Sequence, residues 1–127
     1  MTDIFKQTLA APQVARWQHN GVECAIHYVP ALDCRNGYCS IPDEHPLEQS
    51  EDWVGHCSSE ALLDVHGGVT FGPRKVDGGH IIGFDTSHFG DYSAISCPNG
   101  RRWSIDDVYA ETNHMADQVA AAGEVPA

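Results

Sequence analysis

Residues 13–28, QVARWQHNGVECAIHY, decide the fold. Asn20-Gly21 separates two strand-like flanks, and both residues tolerate the positive φ that a two-residue hairpin turn demands. Val14 and Trp17 on one side, and Val22, Cys24, Ile26 and Tyr28 on the other, supply side chains that suit a half-buried pleated surface. Pro30 closes the second strand. A tight hairpin makes the sheet antiparallel at its start. The opposite end of the chain reads differently. Ser104 stands three residues before Asp107, as in a capping box, and Asp106 and Asp107 favour a helix N-terminus electrostatically. Trp103 and Val108 occupy the two positions of a hydrophobic staple. Ile105, Val108, Tyr109, Thr112, Met115, Ala116 and Val119 then recur at three- and four-residue spacing. Gly123 and Pro126 are expected past the end of that helix. The combination predicts one α+β domain over residues 1–127, a mostly antiparallel sheet of hairpins covered by a C-terminal amphipathic helix.

The segments between are less regular. Ile4–Ala10 reads as a short helix ending before Pro12. Residues 33–50 read as loop around a short strand, Tyr38–Ile41. Glu51–Leu63 favours helical turns. Val65–Phe71 and His80–Asp85 read as strands, with GPRKVDGG (72–79) as turn chemistry between them.

Composition narrows the function. Seven Lys and Arg against 18 Asp and Glu give a formal charge of −11. That balance excludes a protein that coats duplex nucleic acid or an anionic membrane, which needs a basic face. Arg74-Lys75 and Arg101-Arg102 are local exceptions, able to meet a small phosphate ligand. No run approaches the ~18 apolar residues of a membrane span, and MTDIFKQTLAAP lacks the apolar core of a signal peptide. Five cysteines cannot all pair within one chain. Reduced thiols and a cytoplasmic location are therefore expected.

Two stretches carry the candidate chemistry, VHGGVTF (65–71) and GFDTSHFGDY (83–92). If they pair with Phe71 opposite His80, then His66 faces Asp85. Strand alternation then puts Val65, Gly67, Val69, Phe71, His80, Ile82 and Phe84 on a core face. His66, Gly68, Thr70, Ile81, Gly83 and Asp85 share the other. Gly68 and Gly83 open a floor there, over which His88 and Asp91 can return. Two imidazoles and two carboxylates, His66, Asp85, His88 and Asp91, suit a divalent metal such as zinc or manganese. Such an ion would activate a water as nucleophile, with His66, Asp85 and His88 as the catalytic set and Thr70 supporting it. Without metal, His66 or His88 can act as general acid or base, Gly67 and Gly68 can offer N–H groups to an anion, and Arg74 and Lys75 can neutralise phosphate. The plain alternative is a cross-strand His66–Asp85 hydrogen bond beside a capped loop. Cys34, Cys39, His56 and Cys57 form a weaker zinc set, and Cys57 a weaker nucleophile. His45 and Tyr38 are candidates for a lid, though a surface loop explains them as well. The expected activity is metal-assisted hydrolysis of a small phosphorylated or nucleotide-like substrate. The alternatives are a non-catalytic binder, a sponge for a nucleotide-like signal, or a structural protein-interaction module.

The motifs GYCSIPDEHP, VHGGVTF and GFDTSHFGD, in that order, resemble a family of small uncharacterised proteins of bacteriophages and mobile elements. Its pattern is roughly G-Y-x-x-x-P-x-x-H-P, V-H-G-G-x-T-[FY] and G-F-D-x-x-H-x-G-D. The resemblance runs from about Gly37 onward. It implies a phage-type accessory protein in the host cytoplasm, with anti-defence binding of a nucleotide messenger as one role by analogy. It also implies that His66, Asp85, His88 and Asp91 act together.

Overall fold

The computed structural model describes residues 3–42, 45, 63–88 and 90–123. A short helix α1 (Ile4–Thr8) precedes strands β1 (Gln13–His19), β2 (Val22–Val29), β3 (Cys34–Pro42), β4 (Phe71–Val76) and β5 (Gly79–Phe84), and helix α2 (Ile105–Gly123) follows them. The strands form one five-stranded sheet in the order β1-β2-β3-β5-β4, antiparallel throughout. The expected α+β architecture is the observed one.

The first hairpin forms as its sequence demands. Asn20 and Gly21 take φ of 54° and 79°, and His19 pairs with Val22 directly across the turn. β3 is longer than the expected Tyr38–Ile41, because its pairing with β2 extends from Cys39 back to Cys34. Helix α2 begins as read. Ser104 N–H donates to Asp107 Oδ2 and Asp107 N–H donates to Ser104 Oγ, both at 3.0 Å. Those contacts hold the Asp107 carboxyl below its usual range, the backbone N–H of Ser104 first and its hydroxyl next.

Alternation along the three inner strands sorts two cores. Cys24 and Ile26, Cys39 and Ile41, Ile82 and Phe84 join Val108, Met115, Ala116 and Val119 of α2 on one face. Ala25, Tyr38 and Ile81 point to the other face, where Phe5 of α1 covers them. Helix and sheet touch closely at Gly37, where any Cβ would collide with Thr112 and the Phe84 ring. Both faces are thus buried, which explains why β2 and β5 lack the hydrophobic-in, polar-out alternation of a one-sided sheet. On α2, Ile105 and Tyr109 fall outside the buried stripe, at 41% and 45% exposure.

The last hairpin departs from expectation. Residues 65–70 are not a strand, and β4 starts at Phe71. Asp77-Gly78 makes the turn, with Val76 paired to Gly79 and Lys75 to His80. Asp-Gly is a two-residue hairpin signal, and it takes precedence over an eight-residue turn. Pro73 cannot donate a ladder bond. It is accommodated because β4 is an edge strand and a register irregularity falls between Phe71 and Arg74. Phe71 therefore opposes Gly83, not His80. Its ring moves to the α1 side and meets Tyr38 edge-on, 5.4 Å between centroids.

Candidate functional site

The expected His66–Asp85 strand pair does not form, since His66 lies in a turn. Gly68 N–H donates to Val65 O at 2.9 Å, and Gly67 takes φ of 69°, the positive value that the third position of a type II turn requires. Glu111 of α2 fixes this turn, accepting from His66 N–H at 2.7 Å.

The structure nevertheless gathers all four expected residues, in a different pairing. His66 Nε2 donates to Asp91 Oδ2 at 2.6 Å. His88 Nε2 lies 3.0 Å from Asp85 Oδ1. The two imidazole rings meet edge-on at 5.3 Å. The cluster is thus two histidine–carboxylate pairs in contact.

Asp91 is the buried hub, its side chain 4% exposed. Besides His66, it accepts from Trp103 Nε1 through Oδ1 and from His88 N–H through Oδ2, both at 3.1 Å. Burial pulls its pKa upward. The hydrogen bonds from His66, Trp103 and His88 N–H outweigh that and hold the carboxyl below its ordinary value. An ionised carboxylate only accepts, so the proton in this bond sits on His66 Nε2 and a neutral ring keeps its lone pair on Nδ1. Asp85 is held by Thr70 Oγ1 on Oδ2 and Ser87 N–H on Oδ1, both at 3.1 Å. Thr70 thus orients a carboxylate of the cluster.

His88 has a distinct environment. Its Nε2 is buried without a hydrogen bond, because the close approach to Asp85 is poorly aligned for one. Its ring lies over Gly67, where a Cβ would overlap it. Gly67 is thus the floor under this imidazole. At Gly83 a Cβ would strike the Tyr38 ring, so that glycine serves core packing. The N–H of Gly68 is spent on the turn.

Other expected members stand apart. Arg74 and Lys75 belong to the exposed edge strand β4, beside Ile81 and His80. They are four and five residues from Asp85 along β5, roughly 13 Å or more at the rise of a strand. Cys34 and Cys39 are five residues apart on β3, so their side chains leave opposite faces and cannot share one zinc. His56 and Cys57 lie outside the described residues, as does most of the segment read as helical turns. Tyr38 is buried in the sheet, not in a lid. His45 Nε2 meets Val119 O at 2.8 Å, which ties it to the end of α2.

Among the described residues, no group of three or more His, Cys, Asp or Glu side chains is arranged to hold a metal ion. A tetrahedral zinc with bonds of about 2.0–2.1 Å separates its ligand atoms by about 3.3 Å. The 2.6 Å His66–Asp91 contact is a hydrogen-bond distance and would have to open.

Trp103 does more than a helix staple requires. It was expected as half of a helix staple, and it does pack against the main core. Its indole also packs against His66, 4.4 Å between centroids and tilted by 43°, while its N–H holds Asp91. The indole N–H, a donor that needs a partner when buried, was the available signal. Neither a protein-family model, nor a curated protein, nor a solved structure matches this chain.

Proposed function

We propose that the two histidine–aspartate pairs form an acid–base site that hydrolyses a small phosphorylated or nucleotide-like substrate, in a phage-type accessory protein. The observation that supports it is the contact of two imidazoles, each with its own carboxylate. One pair can remove a proton while the other supplies one. In this reading His66 takes a proton from water on Nδ1 as the water oxygen bonds to phosphorus. Asp91 steadies the imidazolium that results. Protonated His88, steadied by Asp85 at Nε2, gives its Nδ1 proton to the leaving oxygen as the phosphorus–oxygen bond breaks. Positioned proton transfer of this kind contributes about 10²–10⁴ in rate.

A divalent metal, zinc or manganese, on His66, Asp85, His88 and Asp91 is the second reading. What favours it is His88 Nε2, buried without a hydrogen bond and close to Asp85. The test is to incubate untagged protein with a panel of nucleotides and sugar phosphates, with and without chelator, and to analyse both products and retained compounds. Product formed in chelator supports the acid–base reading. Product that requires added zinc or manganese supports the metal reading. Intact compound retained by the protein would replace both with a sponge, and neither product nor retention would leave a structural module.

A further inference from the structure

We infer that Arg101 is the anion-binding residue of this site, gripping a phosphoryl group beside His66. The inference rests on the acid–base reading for what happens next, but not for binding itself.

The chain has only seven Lys and Arg residues. Arg101 is exposed, and its guanidinium lies over the Trp103 ring at 4.4 Å from the centroid. Trp103 also meets His66, at 4.4 Å between centroids and a tilt of 43°, and His66 meets His88 edge-on. Arginine, indole and two imidazoles are therefore linked by successive ring contacts, from exposed Arg101 to the cluster.

The backbone fixes the outer end of that series. Asp91 and Arg101 form a β-bridge. Arg101 N–H donates to Gly90 O and its carbonyl accepts from Tyr92 N–H, both at 2.8 Å. The same short segment thus carries the buried carboxylate hub and the exposed cation.

Neighbouring cations are engaged differently. Arg102 stacks on Tyr92 at 3.7 Å and sits 3.7 Å from Asp33 Oδ2. Arg16 is paired to Asp3 and Glu23. Arg101 has no ion pair among the described residues. A planar guanidinium laid on an aromatic face keeps its donor fork free for a phosphate and loses little freedom on binding. The Asp107 carboxyl feels the Arg101 charge, but no carboxylate pairs with it directly among the described residues, and in a chain with a net charge of −11 such an exposed cation is where an anion gains most.

The test titrates inorganic pyrophosphate and AMP into wild type, Arg101→Ala, Arg101→Gln, Arg74→Ala and His66→Gln by calorimetry. Thermal unfolding confirms that each variant is folded. Wild type should bind both compounds, more weakly at higher salt. The two Arg101 variants should lose about 10–100-fold, the range for hydrogen bonds to charged groups. Arg74→Ala should bind like wild type. Unchanged affinity in both Arg101 variants, an equal loss in Arg74→Ala, or no binding by wild type would overturn the inference. His66→Gln separates the two proposals. Anion binding that depends on Arg101, with no turnover of any substrate, would leave this inference standing and sink the hydrolase. Turnover that depends on His66 but not on Arg101 would do the reverse.

Discussion

Gly67 carries two constraints at one position. Its φ is positive, and the His88 ring occupies the space a Cβ would fill. Gly67→Ala is expected to lose about 1–3 kcal/mol in urea unfolding from backbone strain alone. It should also shift the His88 ring resonances, which a merely strained turn would leave in place. Asp91 gives a pH prediction. Its folded pKa lies below the ordinary 3.8, so ionised Asp91 contributes stability that is fully present above that value. The contribution is lost as pH falls through the lowered folded value. Asp91→Asn should flatten this part of the acid-unfolding profile, and an unchanged profile would mean that the carboxylate is not the hub. At this scale the set His66, Asp85, His88 and Asp91 was legible in the sequence, because four polar side chains crowd into two glycine-bearing stretches. Their pairing was not, because strand parity does not govern His66, which stands in a turn.

At the scale of elements, the legible parts were those with local chemistry. Asn20-Gly21 and the Ser104–Asp107 box each satisfy their own backbone groups, so neighbours need not be known. Removing the cap by Ser104→Ala should cost about 1 kcal/mol in thermal or chemical unfolding. Asp77-Gly78 is an equally strong local signal, but it lies within GPRKVDGG, a run that reads as turn chemistry throughout. A proline inside a run argues against a central strand, yet β4 is an edge strand, where it is tolerated. Which strand lies at the edge is a property of the whole sheet and is not written locally. Gly78 takes φ of 83° with open space around its Cβ position. Gly78→Ala should therefore cost about 1–2 kcal/mol, the left-handed penalty without a clash. No loss would place the turn elsewhere.

The whole molecule brings the site together from parts far apart in sequence. The turn at 65–68, the end of β5, the segment 90–103 and Glu111 of α2 each contribute one side of it. Helix α2 thus covers the sheet and also anchors His66 through its backbone N–H. Two buried thiols, Cys24 and Cys39, face each other across β2 and β3 at 3.8 Å. Burial, with the neighbouring Cys24 thiol, pushes the Cys39 pKa up, and both side chains are fully buried, so burial should keep both from thiol reagents until the protein unfolds. Prompt labelling of all cysteines in the native state would contradict this core. The proposed function needs these parts joined: two histidine–aspartate pairs in contact, near an exposed arginine. The most direct measurement of that claim is the rate of product formation in chelator, on the best phosphorylated substrate of the panel, by wild type and by folded His66→Gln. The account predicts turnover by wild type and a fall of about 10²–10⁴ in the variant. Equal rates for the two proteins would contradict it.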